Sequence, residues 1–190
     1  MFNKTIKEST EAFGKKHQCI TLYEELSELE QAICKMLRFG WQGDDEQHVK
    51  IRDNFIEEIV DVMNLIEWFY SEMIEKQLDE NPHGSLFDRS INNKQLLKDF
   101  LVSINFCKNN LNEIICYGFD DKDVPLDVLD DEEIFLDVLY NELFYIIVSF
   151  SESGDSDFIN FVTMQKAQKW ADYKHERNLK RIKEARKNRK

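Results

Sequence analysis

The 190-residue chain carries 37 acidic and 25 basic residues, a formal net charge of −12, which argues against general binding of the whole chain to DNA or RNA phosphates. Hydrophobic residues make up 42% and charged residues 33%, the balance of a soluble globular protein, and the length allows one substantial core or two small ones. With only six glycines and two prolines, few residues punctuate the chain, so long helices are expected rather than many short strands.

The opening stretch, Met1 to Lys16, is polar and mixed in charge. It lacks the apolar run of a signal peptide, so the cytoplasm is the expected compartment. A first helix is predicted from about His17 to Phe39, where Leu22, Leu26, Leu29, Ile33 and Leu37 recur at steps of three and four. Gly40 is its expected stop, and the polar segment Gln42 to Lys50 reads as a loop. A second helix, from about Asp53 to Gln77, is apolar over most of its surface and belongs in the middle of a bundle. Asn81-Pro82-His83-Gly84 then breaks the chain.

A third helix is predicted over Lys94 to Tyr117 and a fourth over Asp131 to Ser151, with the acidic stretch Asp120–Asp131 as a solvated loop between them. A last helix begins near Asp157 and runs into a basic tail, Lys180 to Lys190, expected to fray in solvent. The expected fold is an all-α bundle of about five helices in a single domain. Its apolar stretches, Ile59–Tyr70 and Ile134–Phe150, are shorter than the ~20 residues needed to span a bilayer, so no membrane role is expected. Cys19, Cys34, Cys107 and Cys116 form no CxxC pair and no zinc spacing with the four histidines. They read as small core residues in a reducing compartment.

Acids recur at i and i+3 in two places. The first helix holds Glu25 and Glu28, the second Glu58 and Asp61. Each pair shares a helix face, and antiparallel packing of the two helices would bring all four carboxylates together. One ExxE motif alone is ordinarily a solvated face. The second helix argues otherwise: at about 100° per residue, Asp61 shares a strip with Leu65 and Trp68, and Glu58 lies beside Leu65 and Phe69. Buried carboxylates require a partner, and four together repel unless a cation lies between them. Oxygen ligands suit hard ions such as Mg²⁺ or Mn²⁺, and hence phosphoryl chemistry.

The arrangement resembles the MazG-like, all-α nucleoside triphosphate pyrophosphohydrolase superfamily. Gln18 precedes Glu24-Glu25-Leu26-Ser27-Glu28-Leu29 and Gln31-Ala32-Ile33, and Asn54-Phe55-Ile56-Glu57-Glu58-Ile59-Val60-Asp61-Val62 follows. This is similar to short pyrophosphohydrolases of phages and bacteria, in a superfamily that includes dimeric dUTPases, dCTP pyrophosphatases and phosphoribosyl-ATP pyrophosphohydrolases. The resemblance covers about residues 18 to 70. It implies Mg²⁺ ligands at Glu25, Glu28, Glu58 and Asp61, with Glu25 or Glu28 as the base that prepares a water. It implies hydrolysis of a (d)NTP, with dUTP and dCTP as candidates, to a monophosphate and pyrophosphate, by a homodimer.

Further candidates for substrate contact are Gln18, Lys35 and Asn64, together with Lys174, Arg177 and Asn178 on the basic last helix. Trp41 is a candidate for stacking on a base. On this reading residues 17–78 are the metal-binding helix pair and residues 158–190 the basic helix. The stretch 80–157 is either an insertion or a degenerate repeat: Phe100 to Gly118 and Leu136-Asp137-Val138 faintly echo Leu22 to Gly40 and Val60-Asp61-Val62, with Ser103, Phe106, Ile134 and Asp137 at the echo positions. The competing reading is a non-enzymatic helical interaction protein, which would leave these acids splayed or paired with Lys or Arg.

Overall fold

In the computed structural model, the residues described are 6–41, 43, 45–74, 93–117, 139–141, 143 and 164–188. Every element among them is helical, and together they form an all-α bundle. The elements are α1 (Ile6–Phe13), α2 (Lys15–Phe39), α3 (Glu46–Phe69, continued by a π-helical turn Tyr70–Ile74), α4 (Asn93–Tyr117) and α5 (Met164–Asn188). Residues 139–141 and 143 are also helical. The rest of the predicted fourth helix, the predicted last helix before Met164, the break at Asn81–Gly84, the loop Asp120–Asp131, and echo positions Ile134 and Asp137 lie outside the described residues. No described helix is long and apolar enough to cross a membrane.

α3 is the central element, packed against both α2 and α5, while α4 covers α2 and α1 lies against α5. Leu22, Leu26, Leu29, Ile33 and Met36 of α2 are fully buried against Phe55, Ile56, Ile59, Met63 and Ile66 of α3. Each such side chain contributes roughly 1.5–3 kcal/mol by leaving water. Leu97, Phe100, Ile104 and Leu111 of α4 join the same core, so part of the 80–157 stretch is packed on the helix pair. Lys108 reinforces that contact by pairing with Glu30 on α2 at 2.8 Å.

Four expectations need correction. Residues 46–50, read as loop, are the first turn of α3. Asp45 caps it by accepting from the backbone N–H groups of Gln47 (3.0 Å) and His48 (3.2 Å), and the polar residues that mimic a loop are its solvated first turn. Helix α1 lies in a stretch for which no helix was expected. It is too short to show a period, and positive-φ Gly14 separates it from α2. Its anchor is tertiary: Trp68 Nε1 donates to Thr10 Oγ1 at 2.7 Å.

The basic tail stays helical to Asn188 rather than fraying, because Ile182 is buried and Arg186 meets Glu11 at 3.2 Å. Among the cysteines only Cys19 and Cys107 are core residues; Cys34 and Cys116 are exposed, since their positions fall off the apolar strips of α2 and α4.

Candidate metal centre

The pairing of α2 with α3 sets the site. Lys35 near the end of α2 reaches Asn54 near the start of α3, whereas Glu25, ten residues earlier, meets Asp61, seven residues later. The two helices therefore run antiparallel, and their inner faces bring acids together at mid-height. Glu25, Glu58 and Asp61 each place one carboxylate oxygen within 4.8 Å of the other two. Three oxygens each about 2.1 Å from one Mg²⁺-sized ion lie about 3.0–3.6 Å from one another when none is opposite another, so the three acids would have to draw closer to share an ion. Glu28, on the same α2 face one turn on, is exposed and stays outside the trio, although its charge acts on both Glu25 and Glu58.

The acids are held where water solvates them poorly. Glu58 and Asp61 are only 8% and 7% exposed. Burial, followed by the neighbouring Asp61 and Glu28 charges, pushes the Glu25 carboxyl up to about 8. Burial, then Glu28 and Asp61, pushes Glu58 up to about 7. Burial also raises Asp61, against the opposing pull of Lys174. A buried oxygen of Glu25, Oε2, has no hydrogen-bond partner among the described residues. Burial thus disfavours the charged form of all three, and a cation between them would favour it. The donor set is oxygen only, which fits a hard divalent ion and not zinc.

A second tier of side chains fixes this geometry. Asn54 Nδ2 donates to Glu58 Oε1 at 2.6 Å, and Lys35 Nζ donates to Asn54 Oδ1 at 3.1 Å. From α5, the buried Lys174 ammonium donates to Asp61 Oδ2 and sits 3.1 Å from Glu57 Oε1. Burial tends to lower its affinity for the proton, and the Asp61 carboxylate outweighs that, leaving Lys174 raised. Arg177, half-buried one turn along, also acts on Asp61 through its charge.

Of the sequence-predicted substrate residues, Lys35, Lys174 and Arg177 thus gather around the cluster. Asn64 is half-buried one turn beyond Asp61, and Asn178 is half-buried one turn beyond Lys174. Gln18 is buried on the Glu25 strip, two turns or about 10 Å along α2. Trp41 packs partly buried against the core, and its carbonyl accepts from Arg52 Nη1 at 2.6 Å.

Two members escape a reading based on acid pairs alone, Asn54 and Glu57. Both carry a usable signal: each stands four residues before a site acid, Glu58 or Asp61, on the same face of α3.

Lys35 also lines an open groove of about 610 Å³ with Phe39, Gln47, Lys50 and Ile51. The chain of Lys35, Asn54 and Glu58 connects that groove to the acids. Comparison with family models, curated proteins and solved structures gives no match to the chain.

Proposed function

We propose that the protein is a Mg²⁺-dependent nucleoside triphosphate pyrophosphohydrolase of the MazG-like kind, with Mn²⁺ as a substitute ion. The observation that carries this reading is the convergence of Glu25, Glu58 and Asp61 at the buried face between α2 and α3. Solvation alone gives no reason to bury Glu58 and Asp61 beside the half-buried Glu25. Glu25, Glu58 and Asp61 would hold the ion directly, with Glu28 completing the set from the exposed side. The ion would supply charge neutralisation on phosphate and a lowered pKa for water.

The side chains of the protein have the remaining roles. Water attacks the α–β phosphoanhydride, that bond breaks, and monophosphate and pyrophosphate separate. Glu25 accepts the water's proton; its buried Oε2 has no hydrogen-bond partner among the described residues, so it keeps a lone pair for this. Lys174 and Arg177 meet the phosphates as charged donors. The groove beside Lys35, with the exposed Phe39 ring, takes the nucleoside end of a dNTP such as dUTP or dCTP. Association as a homodimer is part of the proposal, and light scattering on the purified chain tests it.

A second reading has one observation in its favour. Asp61 is paired with Lys174, as expected of a helical interaction protein without turnover. Glu25 and Glu58, however, have no Lys or Arg ion-pair partner among the described residues, which an inert scaffold does not explain. The deciding experiment is pyrophosphate release from a panel of dNTPs and NTPs, with and without Mg²⁺, for the wild type and Glu58→Gln. Metal-dependent release that disappears in the variant supports the enzyme. No release from any nucleotide by folded, Mg²⁺-saturated protein refutes hydrolysis of standard nucleotides.

A further inference from the structure

Lys174 stands 113 residues from Asp61 in the chain, yet its ammonium lies on that carboxylate. Asp61 and Glu57 are one turn apart on α3, so a single ammonium bridges both. Lys174 is 8% exposed, and an ammonium is taken out of water only where fixed negative charge replaces the lost hydration. A divalent ion among Glu25, Glu58 and Asp61 would need the same Asp61 carboxylate. Ammonium and ion would then be two positive centres on one acid, at separations where their repulsion is strong.

We propose that Lys174 is the resident counter-cation of the cluster: it holds Asp61 while no divalent ion is present and yields that carboxylate when one binds. The released ammonium then serves as a phosphate donor beside Arg177. This rests on the divalent-cation reading of the acids and adds to it an order of events, in which the ion enters first and the phosphate site forms second.

The exchange needs no movement of α5. A lysine stem has four rotatable carbons and a point charge at its end, so the ammonium can swing while its backbone stays fixed. α5 is anchored independently by buried Ala171 and Ile182 and by the Arg186–Glu11 pair. An internal competitor lowers apparent ion affinity by the fraction of molecules in which the site is free. If Lys174 covers Asp61 in about nine of ten molecules, removing it tightens ion binding about tenfold.

The test titrates Mn²⁺ alone into the full chain, as wild type, Lys174→Met and Glu58→Gln, by calorimetry. It then titrates pyrophosphate into the Mn²⁺-saturated proteins. The expected result for Lys174→Met is a split: Mn²⁺ binds about tenfold tighter and pyrophosphate binds more weakly. A merely structural lysine would not move the two in opposite directions. A measurement on the wild type stands independently of how the variant folds. Amine acetylation of Lys174, read by mass spectrometry, should rise when Mn²⁺ is added.

Unchanged or weaker Mn²⁺ binding by folded Lys174→Met overturns the proposal, as does labelling that is indifferent to Mn²⁺. Either result leaves the cation reading standing, provided wild type binds Mn²⁺ and Glu58→Gln does not. Absence of Mn²⁺ binding by wild type, or its survival in Glu58→Gln, overturns both.

Discussion

Replacing Glu58 by Gln should stabilise the metal-free protein while removing its response to metal. In the folded protein Glu58 titrates at about 7 rather than its ordinary 4.5. Because the folded state holds the proton more tightly, the benefit is fully present below about 4.5 and is lost as pH rises through about 7. Each pH unit across that gap is worth about 1.4 kcal/mol, so an ionised Glu58 costs the fold about 3 kcal/mol before water screens it. Screening of a site that water can reach reduces this to about 1–2 kcal/mol. Gln keeps the shape and the carbonyl oxygen that accepts from Asn54, and it cannot ionise.

In EDTA at pH 8, Glu58→Gln should therefore melt about 2–8 °C above wild type. At pH 4.5 and below the two should converge, since Glu58 is then neutral in the wild-type fold. Mg²⁺ at 100 times its dissociation constant should stabilise wild type by about 2.7 kcal/mol and leave the variant almost unmoved. Thermal melts followed by circular dichroism, at two pH values with EDTA or Mg²⁺, read all four arms. A variant no more stable than wild type at pH 8 in EDTA would refute the premise that Glu58 is held ionised at a cost.

The pH dependence of the metal-free chain follows from the same carboxyls. Glu25, pushed up to about 8, and Glu58, at about 7, should make its melting temperature fall from pH 6 to pH 8.5, and saturating Mg²⁺ should flatten that slope; a rising slope in EDTA counts against the cluster. Leu26→Ala, at a fully buried α2 position against α3, should cost roughly 2–5 kcal/mol in urea unfolding. Arg52 ties down the segment before α3 by donating to the carbonyls of Trp41 and Gly43. Arg52→Ala should cost about 1–3 kcal/mol, and among the described residues faster hydrogen exchange should be confined to Gly40, Trp41, Gly43, Asp45 and the first turn of α3.

The helices that build the site are legible wherever their apolar period is unbroken. Leu22 to Leu37 define α2 within two residues, and the apolar positions of α3 place it correctly at the centre. The period says nothing where side chains face water on every side, which is why the start of α3 is hidden. Glu46 to Lys50 carry no apolar stripe, and only the Asp45 cap marks the helix. Helix α1 fails to show itself for a related reason, because eight residues span barely two turns and its anchor, the Thr10–Trp68 bond, lies 58 positions away.

For the acids, the i, i+3 spacing and the apolar neighbours of Glu58 and Asp61 suffice to bring three of the four together. Glu28 is the exception: sharing a strip with Glu25 does not bury it. The contact between Lys174 and Asp61 could not be read from spacing, because it depends on how α5 docks.

The charge inventory around the cluster bears on why these residues are arranged as they are. Glu25, Glu58 and Asp61 converge, Glu57 and Glu28 stand close enough to act on them, and Lys174 is the one side chain within ion-pair distance of any of the converging three among the described residues. A purely structural buried network would be expected to close its charges and hydrogen bonds, because each unsatisfied group weakens the fold. This one is left open on one side. Lys174 compensates Asp61 and Glu57, whereas Glu25 and Glu58 ionise only at a cost, with their carboxyls pushed up to about 8 and about 7. Such an imbalance costs the metal-free protein stability, and a divalent cation reverses that cost by stabilising the ionised form of each acid. On the proposed reading, the same feature that weakens the bundle on its own is what would favour an ion entering from water.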